Sequence, residues 1–275
     1  MKSSLASRTL LTLLVALIVL VYGFPYAFLV STSLKSPQDA LAIPPTLLPQ
    51  QLSLENYANI GEHPTVQRSF GNSAIIALLS TVITIALAVP AAYAVARYGA
   101  WAGKAFLFVV LITRLIPPVA VGIPLFVIMR ALGLIDTHLG VALAHSTISV
   151  PLGIWLLASF MESIPRELEE AARVDGCSRF GALLRIIIPV ASGGIAVTAI
   201  FVFLASWNEF LFSLLLSSTG VKTAPIAIAE FKTQYSIQWG TMTSLAVLFS
   251  FPVIIFSLLM QKRIIAGLTV GAVKG

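Results

Sequence analysis

One charged island interrupts an otherwise apolar chain, and its residue types suit recognition. Residues 162–189 read ESIPRELEEAARVDGCSRFGALLRIIIP, with four glutamates, four arginines and an aspartate between two hydrophobic runs. Charge at that density belongs in water, and the pattern predicts two short helices joined by a turn. Ser163 is a candidate cap, and Pro165 falls in the first turn, where a missing N–H costs nothing. Glu167, Glu169 and Glu170 suit the positive end of the helix dipole. Leu168, Ala171, Ala172 and Asp175 recur at i, i+3, i+4 and i+7, one face that is mostly small or apolar. Asp175-Gly176 reads as a helix stop, with Gly176 needing φ > 0 or room for close approach. Phe180, Leu183, Leu184 and Ile187 form the stripe of the second helix. Small side chains on an exposed helix let another protein come close, so the loop is a candidate docking element. A solvated loop without a partner is the plain alternative. A DNA-reading helix-turn-helix is a third, but five acids against four arginines make no basic patch, and no nucleic-acid partner is expected.

Two further groups could do chemistry because of where they lie. Arg114 and Glu209 sit inside hydrophobic runs, where a charge is expensive and either stabilises the bundle or lines a polar path. At about 1.5 Å per residue Arg114 falls near mid-membrane and Glu209 nearer the outer face, so the spacing does not require them to pair. His145 reads as a hydrogen-bonded packing residue rather than a proton relay. The single cysteine, Cys177, excludes an internal disulfide and a cysteine-based metal cluster, and reads as a small packing residue. No catalytic or metal-binding constellation is expected.

The elements that position these residues are membrane spans. At 58% hydrophobic and 10% charged, the chain is too apolar for a soluble domain. The expectation is an all-α, polytopic membrane protein of one domain with six spans, at about 9–30, 69–96, 105–129, 139–161, 190–216 and 240–261. Residues 31–68 are proline-rich and read as an external loop with little regular structure, and residues 97–104 as a short basic turn. Pro117 and Pro118 should bend or break the third span, as is tolerated where a helix is buried in protein or lines a cavity. Trp155 and Trp239 suit interfacial positions. With the N-terminus inside, Lys2, Arg8, Arg97, Lys104, Arg166, Arg173, Arg179, Arg185, Lys262, Arg263 and Lys274 are cytoplasmic, 11 of 17 basic residues. That excess places both termini and the loop 162–189 in the cytoplasm, with the chain in the cell membrane.

The loop also carries a resemblance. Glu170-Ala171-Ala172, then Gly176, then Ile186, Ile188 and Pro189 resemble the "EAA" loop of binding-protein-dependent ABC importer permeases, with Ile188 where leucine is usual. Trp207-Asn208-Glu209-Phe210, Ile164-Pro165 ahead of the loop helix, and the tail Gly267-Leu268-Thr269-Val270-Gly271-Ala272-Val273-Lys274-Gly275 are similar to the carbohydrate-uptake branch. Within it the chain resembles the second permease subunit of maltose- and trehalose-type importers, actinobacterial trehalose importers among them. The resemblance implies that Glu170, Ala171, Ala172, Asp175, Gly176, Ile186 and Pro189 couple the chain to an ATPase. It implies as partners a second, similar permease, two ATPase subunits, an extracytoplasmic sugar-binding protein and membrane lipid. The tail would contact the ATPase pair. No P-loop pattern occurs, so the chain is not expected to be an enzyme, and ATP and magnesium would be bound by the ATPase partners. Sugars are uncharged, so a path needs hydrogen-bonding and aromatic groups, and Ser206, Trp207, Asn208 and Phe210 are candidates for it; Arg114 and Glu209 join them as the intramembrane charges. An ion-coupled secondary transporter using Arg114, Glu209 and His145 as relay residues is the alternative, and it leaves the charged loop idle. A membrane-embedded hydrolase is weaker, since no acid/base or metal-type residues cluster in the spans.

Overall fold

The computed structural model describes residues 5–98, 100–233 and 237–272. In chain order the helices are α1 Leu5–Ser33, α2 Pro37–Ala40, α3 Glu55–Gly61, α4 Pro64–Tyr98, α5 Ala100–Ile112, α6 Pro118–Ala131, α7 His138–Glu162 and α8 Glu167–Val174. They continue with α9 Arg179–Ala182, α10 Ile188–Val190, α11 Ser192–Trp207, α12 Leu211–Leu216, α13 Ala224–Glu230 and α14 Trp239–Ala272. Among the described residues the only β feature is a single bridge, Lys232 to Ile237, so the all-α expectation holds. Four helices, α1, α4, α7 and α14, are each long and apolar enough to cross a membrane. Two bent pairs pass the same test jointly, which makes six spans if each pair is one.

The chain divides into two compact units, Met1–Gln67 with Ala227–Phe251, and Arg68–Ile226 with Pro252–Gly275. In the first unit α1 ends with carbonyl groups that no further helical turn can satisfy. Asn56 on α3 donates to the Ser33 and Lys35 carbonyls at 3.2 and 2.7 Å, and the Ser244 hydroxyl donates to Ser33 O at 3.1 Å. Lys35 is buried, and its ammonium donates to the Thr46 carbonyl at 2.5 Å while lying 5.3 Å from the Phe28 ring centre. Gly240 lies so close to Asn56 that a Cβ there would collide with its side-chain amide. Residues 31–68 are therefore not structureless, as composition suggested. They hold α2, α3 and the start of α4, because the end of α1 needs donors that a floppy loop would not hold in place.

The second unit is built on small residues. A Cβ on Gly153 of α7 would come within 3.1 Å of Ala88 and Thr84 on α4, and one on Gly194 of α11 would strike the Phe160 ring at 2.6 Å. Such residues bring helices together in lipid, where apolar burial alone drives little association. Ala88, Val89, Ala92 and Tyr93 of α4 pack with Ile154, Leu157, Ala158 and Met161 of α7 and with Leu183 and Ile187. A second cluster joins Ile76, Leu125, Met129, Val141, Phe212 and Leu216.

Several expected boundaries move, and one expected bend is present. The basic turn at 97–104 is mostly helix, since α4 runs to Tyr98 and α5 starts at Ala100. The third span bends by 94° between Trp101–Leu115 and Pro118–Ala131, as its prolines predict. Ile116 and Pro117 are extended, and Pro118 opens α6 where its missing N–H is harmless. The fifth span, expected at 190–216, starts earlier: α11 forms the second bent pair with Arg179–Val190, and a break at residues 208–210 separates it from α12. α11 has 16 residues, about 24 Å, short of the roughly 30 Å apolar thickness. The last span and the tail form one helix to Ala272, with residues 273–275, Lys274 among them, outside the described residues, as is Lys2.

The turn after α6 is locked by Asp136, at φ +57°. Its carboxylate accepts from Ser218 N and Oγ, Gly220 N and Val221 N at 2.8–3.1 Å, and its own N–H donates to Leu216 O at 2.8 Å. Burial raises its pKa, but the bonds from Ser218, Gly220 and Val221 outweigh that and hold it below the ordinary 3.8. A depressed carboxyl pKa contributes stability that is present above the unfolded value and is lost as pH falls through the folded one. Asp136→Asn should therefore destabilise the purified chain by about 1 kcal/mol at neutral pH. Thermal unfolding in detergent should show the difference from wild type shrinking below pH 4; a constant difference would mean the charge is not what holds the turn.

Candidate functional site

α8 shows why the charged island folds as it does. Ser163 does not cap it; the Ser163 hydroxyl donates to Phe160 O at 2.7 Å and closes α7. Pro165 precedes the helix rather than lying in its first turn, and α8 starts from Arg166 without a side-chain cap. The reason is local: Ile164 is buried and its carbonyl accepts from both Arg97 Nη atoms at 3.2 Å, which keeps residues 164–165 out of the helix. At the other end Gly176 has φ +87°, the left-handed value expected for a stop. Its N–H donates to Arg173 O at 3.1 Å and that of Cys177 to Ala172 O at 2.9 Å, the paired bonds of a Schellman closure. Nothing lies within 4 Å of a Cβ there, so the backbone angle, not crowding, demands glycine.

The two alanines part company. Glu169 and Ala172 are buried, whereas Leu168, Ala171 and Val174 are exposed at i, i+3 and i+6 together with Glu170, Asp175 and Gly176. Leu168 is 41% and Val174 87% exposed, so an apolar stripe faces outward. The shared face expected from the i, i+4 spacing is corrected accordingly: neighbours are about 100° apart, enough to put Ala172 against the chain and Ala171 away from it.

Glu169 holds the inner face. Its Oε1 accepts from the Tyr93 hydroxyl at 2.6 Å, and its Oε2 lies 3.1 Å from Arg97 Nε, an ion pair whose N–H points off the hydrogen-bond line. Arg166 adds a long contact to Ala96 O at 3.5 Å. A cavity of about 640 Å³ opens beside these groups, between Gly103, Lys104 and Leu107 and residues 162–167. From sequence Glu169 reads only as suiting the helix dipole, and the signal that points further is Tyr93 and Arg97, four apart at the end of a span.

After Ser178, whose hydroxyl caps α9, the chain forms a π turn at Leu183–Ile187 and bends by 78° between Arg179–Val190 and Ser192–Trp207. Ile186 is half-buried and Pro189 exposed. Of the second stripe only Leu183 and Ile187 are buried; Phe180 and Leu184 instead border an apolar groove of about 320 Å³ with Ile85, Val89, Pro90 and Ile195.

Glu209 lies at the break between α11 and α12. Its carboxylate accepts from the N–H groups of Phe212 and Ser213 at 2.9–3.1 Å, capping α12, and meets His145 Nε2 at 2.9 Å. His145 is 1% exposed, and its ring nitrogens also reach the hydroxyls of Ser206 (2.7 Å) and Ser213 (3.0 Å). Ser206 and Trp207 are buried, the latter stacked on Phe203, while Asn208 and Phe210 are exposed. Arg114 stands apart from this cluster. It donates to Ile148 O at 2.7 Å, three residues before Pro151, and borders a cavity of about 310 Å³ with Thr113, Thr147 and Phe212.

Comparison with known proteins sets this geometry in context. Residues 85–270 match the family described as "Binding-protein-dependent transport system inner membrane component". The chain is 37% identical over 276 residues to a probable ABC transporter permease of Sinorhizobium fredii, covering 99% of each. It is 38% identical over 232 residues to a trehalose transport system permease of Mycobacterium tuberculosis, covering 83% of this chain and 85% of that one. A chain of a bacterial ABC transporter that imports the acidic polysaccharide alginate shares the fold with a TM-score of 0.77 at 22% identity, over 95% of this chain and 99% of that one.

The cap and the histidine pair predict a structural phenotype for Glu209. Glu209→Gln leaves α12 and His145 with a weaker acceptor and should cost roughly 1–3 kcal/mol, seen as a lower thermal midpoint and less folded protein in the membrane. A His145→Gln, Glu209→Gln double variant should lose less than the sum of the single losses. Unchanged abundance and midpoint in Glu209→Gln would remove the capping role.

Proposed function

The chain belongs to the binding-protein-dependent transport system inner membrane component family, the permease subunits of ABC importers, and on that premise we propose that it carries a di- or oligosaccharide into the cell. Trehalose is the specific substrate we favour, because the Mycobacterium tuberculosis relative is named a trehalose permease; the fifth-span and tail sequences resemble the carbohydrate-uptake branch as a whole. The working unit would be this chain, a second permease subunit, two ATPases that bind ATP and magnesium, and an extracytoplasmic sugar-binding protein. The subunit itself hydrolyses nothing in this reading. Both termini and the loop 162–189 would face the cytoplasm.

The observation that carries the reading is the outward stripe Leu168, Ala171 and Val174 on a helix closed by Gly176. An apolar stripe of small and branched side chains amid charge is suited to a groove on another protein. α8 would lie in such a groove on an ATPase, and closure of the ATPase pair would tilt the spans and open the path alternately to each side. Asn208 and Phe210, exposed at the break in the fifth span, and Arg114 at its cavity would line that path. Ser206, Trp207 and Glu209 would support it from behind, being engaged in packing, in the bond to His145 and in the α12 cap. Those same bonds count against an ion-coupled relay.

Two experiments test this. In the assembled transporter, Ala171→Phe should crowd the stripe and Gly176→Asp should strain the left-handed turn, so each should reduce ATPase subunits retained per complex and sugar uptake by at least several-fold. Membrane insertion should survive both. Complexes that keep their full ATPase complement and normal uptake would sink the docking assignment. For orientation, in a Cys177→Ser chain expressed without partners, a cysteine placed at Gln50 should react with an impermeant maleimide in intact cells. One placed at Val174 should react only after permeabilisation, and the reverse pattern would invert the topology.

A further inference from the structure

We propose that Glu169 is the link through which α8 moves the span α4, a role separate from docking. The inference rests on the importer reading and deepens it by naming the residue that carries the motion inward.

α8 has two working faces. The outer one, Leu168, Ala171 and Val174, is exposed. The inner one is buried at Glu169 and Ala172, and Glu169 is its one charged member. Both carboxylate oxygens are committed to a single element, Oε1 to Tyr93 and Oε2 to Arg97, four residues apart at the end of α4. Arg97 extends the link by holding the Ile164 carbonyl with both Nη atoms, so one guanidinium ties α4 to the entry of α8 and to α8 itself. The cavity of about 640 Å³ between residues 103–107 and 162–167 means that this stretch is not packed solid against α5. A push on the outer face therefore reaches α4 through a directed, charge-assisted connection rather than through a continuous wall of side chains. Such contacts suit a joint: the Tyr93 bond is short and directed at a charge, the Arg97 pair adds attraction, and both side chains of that pair are largely buried. A structural role alone would explain burial of the pair, but not why both oxygens address one span.

The test uses the complete transporter, purified with its ATPases and reconstituted in lipid. Glu169→Gln keeps the shape and the Tyr93 bond and removes the charge; Arg97→Gln removes the other half. Each should retain its ATPase subunits, yet the ratio of hydrolysis with and without sugar-loaded binding protein should fall about tenfold. Glu169→Gln, Arg97→Gln together should be no worse than either alone, because one connection is being cut. Tyr93→Phe, a milder change that also serves if the charge variants assemble poorly, should lower the ratio two- to fivefold. An undiminished ratio in Glu169→Gln or Tyr93→Phe would overturn the link, as would losses that multiply in the double variant. Loss of ATPase subunits from Glu169→Gln would instead make Glu169 a docking residue and equally overturn the proposal. The Ala171→Phe complex separates the two levels: if it keeps its ATPases and normal uptake while Glu169→Gln loses its response, the docking assignment fails and the link stands.

Discussion

A helix that stops inside an apolar layer leaves amide and carbonyl groups that no solvent can satisfy, and much of this structure answers that constraint. The break between α11 and α12 exists because Glu209 supplies the oxygens that the first N–H groups of α12 lack. His145 then supplies the partner that Glu209 needs, and Ser206 and Ser213 complete the histidine. Each polar group is present because the previous one required it. Arg114 plays the converse part at the other bend, donating to a carbonyl near a proline that disturbs its own helix. In the first unit Asn56 and Ser244 do the same for the end of α1. Ionisable residues in these spans are thus explained first as partners for backbone, and only then as candidates for contact with a solute.

The charged loop obeys the same rule in a wetter setting. Its N-terminal side is shaped by Arg97 taking the Ile164 carbonyl, and its C-terminal side by the left-handed Gly176. Between these fixed points only eight residues are helical, too few to be stable alone in water. α8 persists because one face is bonded to the span and the ends are tied, which leaves the opposite face free to carry apolar side chains outward.

Much of this was legible in the sequence, and the failures share a cause. The spans, the proline bend and the glycine stop follow from composition and from residues whose backbone preferences are strong wherever they occur. The break at residues 208–210 was not legible, because Phe203, Leu204 and Trp207 before it and Leu211 and Phe212 after it read as one continuous apolar run, and a glutamate can interrupt a helix or pack within it. The roles of Glu169 and Tyr93 were hidden for a related reason. They lie 76 positions apart, and nothing local marks a carboxylate as buried. The split between Ala171 and Ala172 needed the direction of the chain's own body, which a heptad-like count does not contain. The helix in residues 31–68 was missed because prolines dominate the composition, although the donors on Asn56 and Ser244 were what the end of α1 required.

The two faces of α8 have a consequence for how such a segment can be inherited. If α8 docks as proposed, substitutions on the outer stripe would answer to the surface of another protein, whereas Glu169 answers to residues 93 and 97 of the same chain. A helix of eight residues is thereby bound by two separate histories. Transplanting the segment into a different permease would carry over its choice of docking partner, yet it would arrive unfastened unless the tyrosine and arginine of its native span travelled with it.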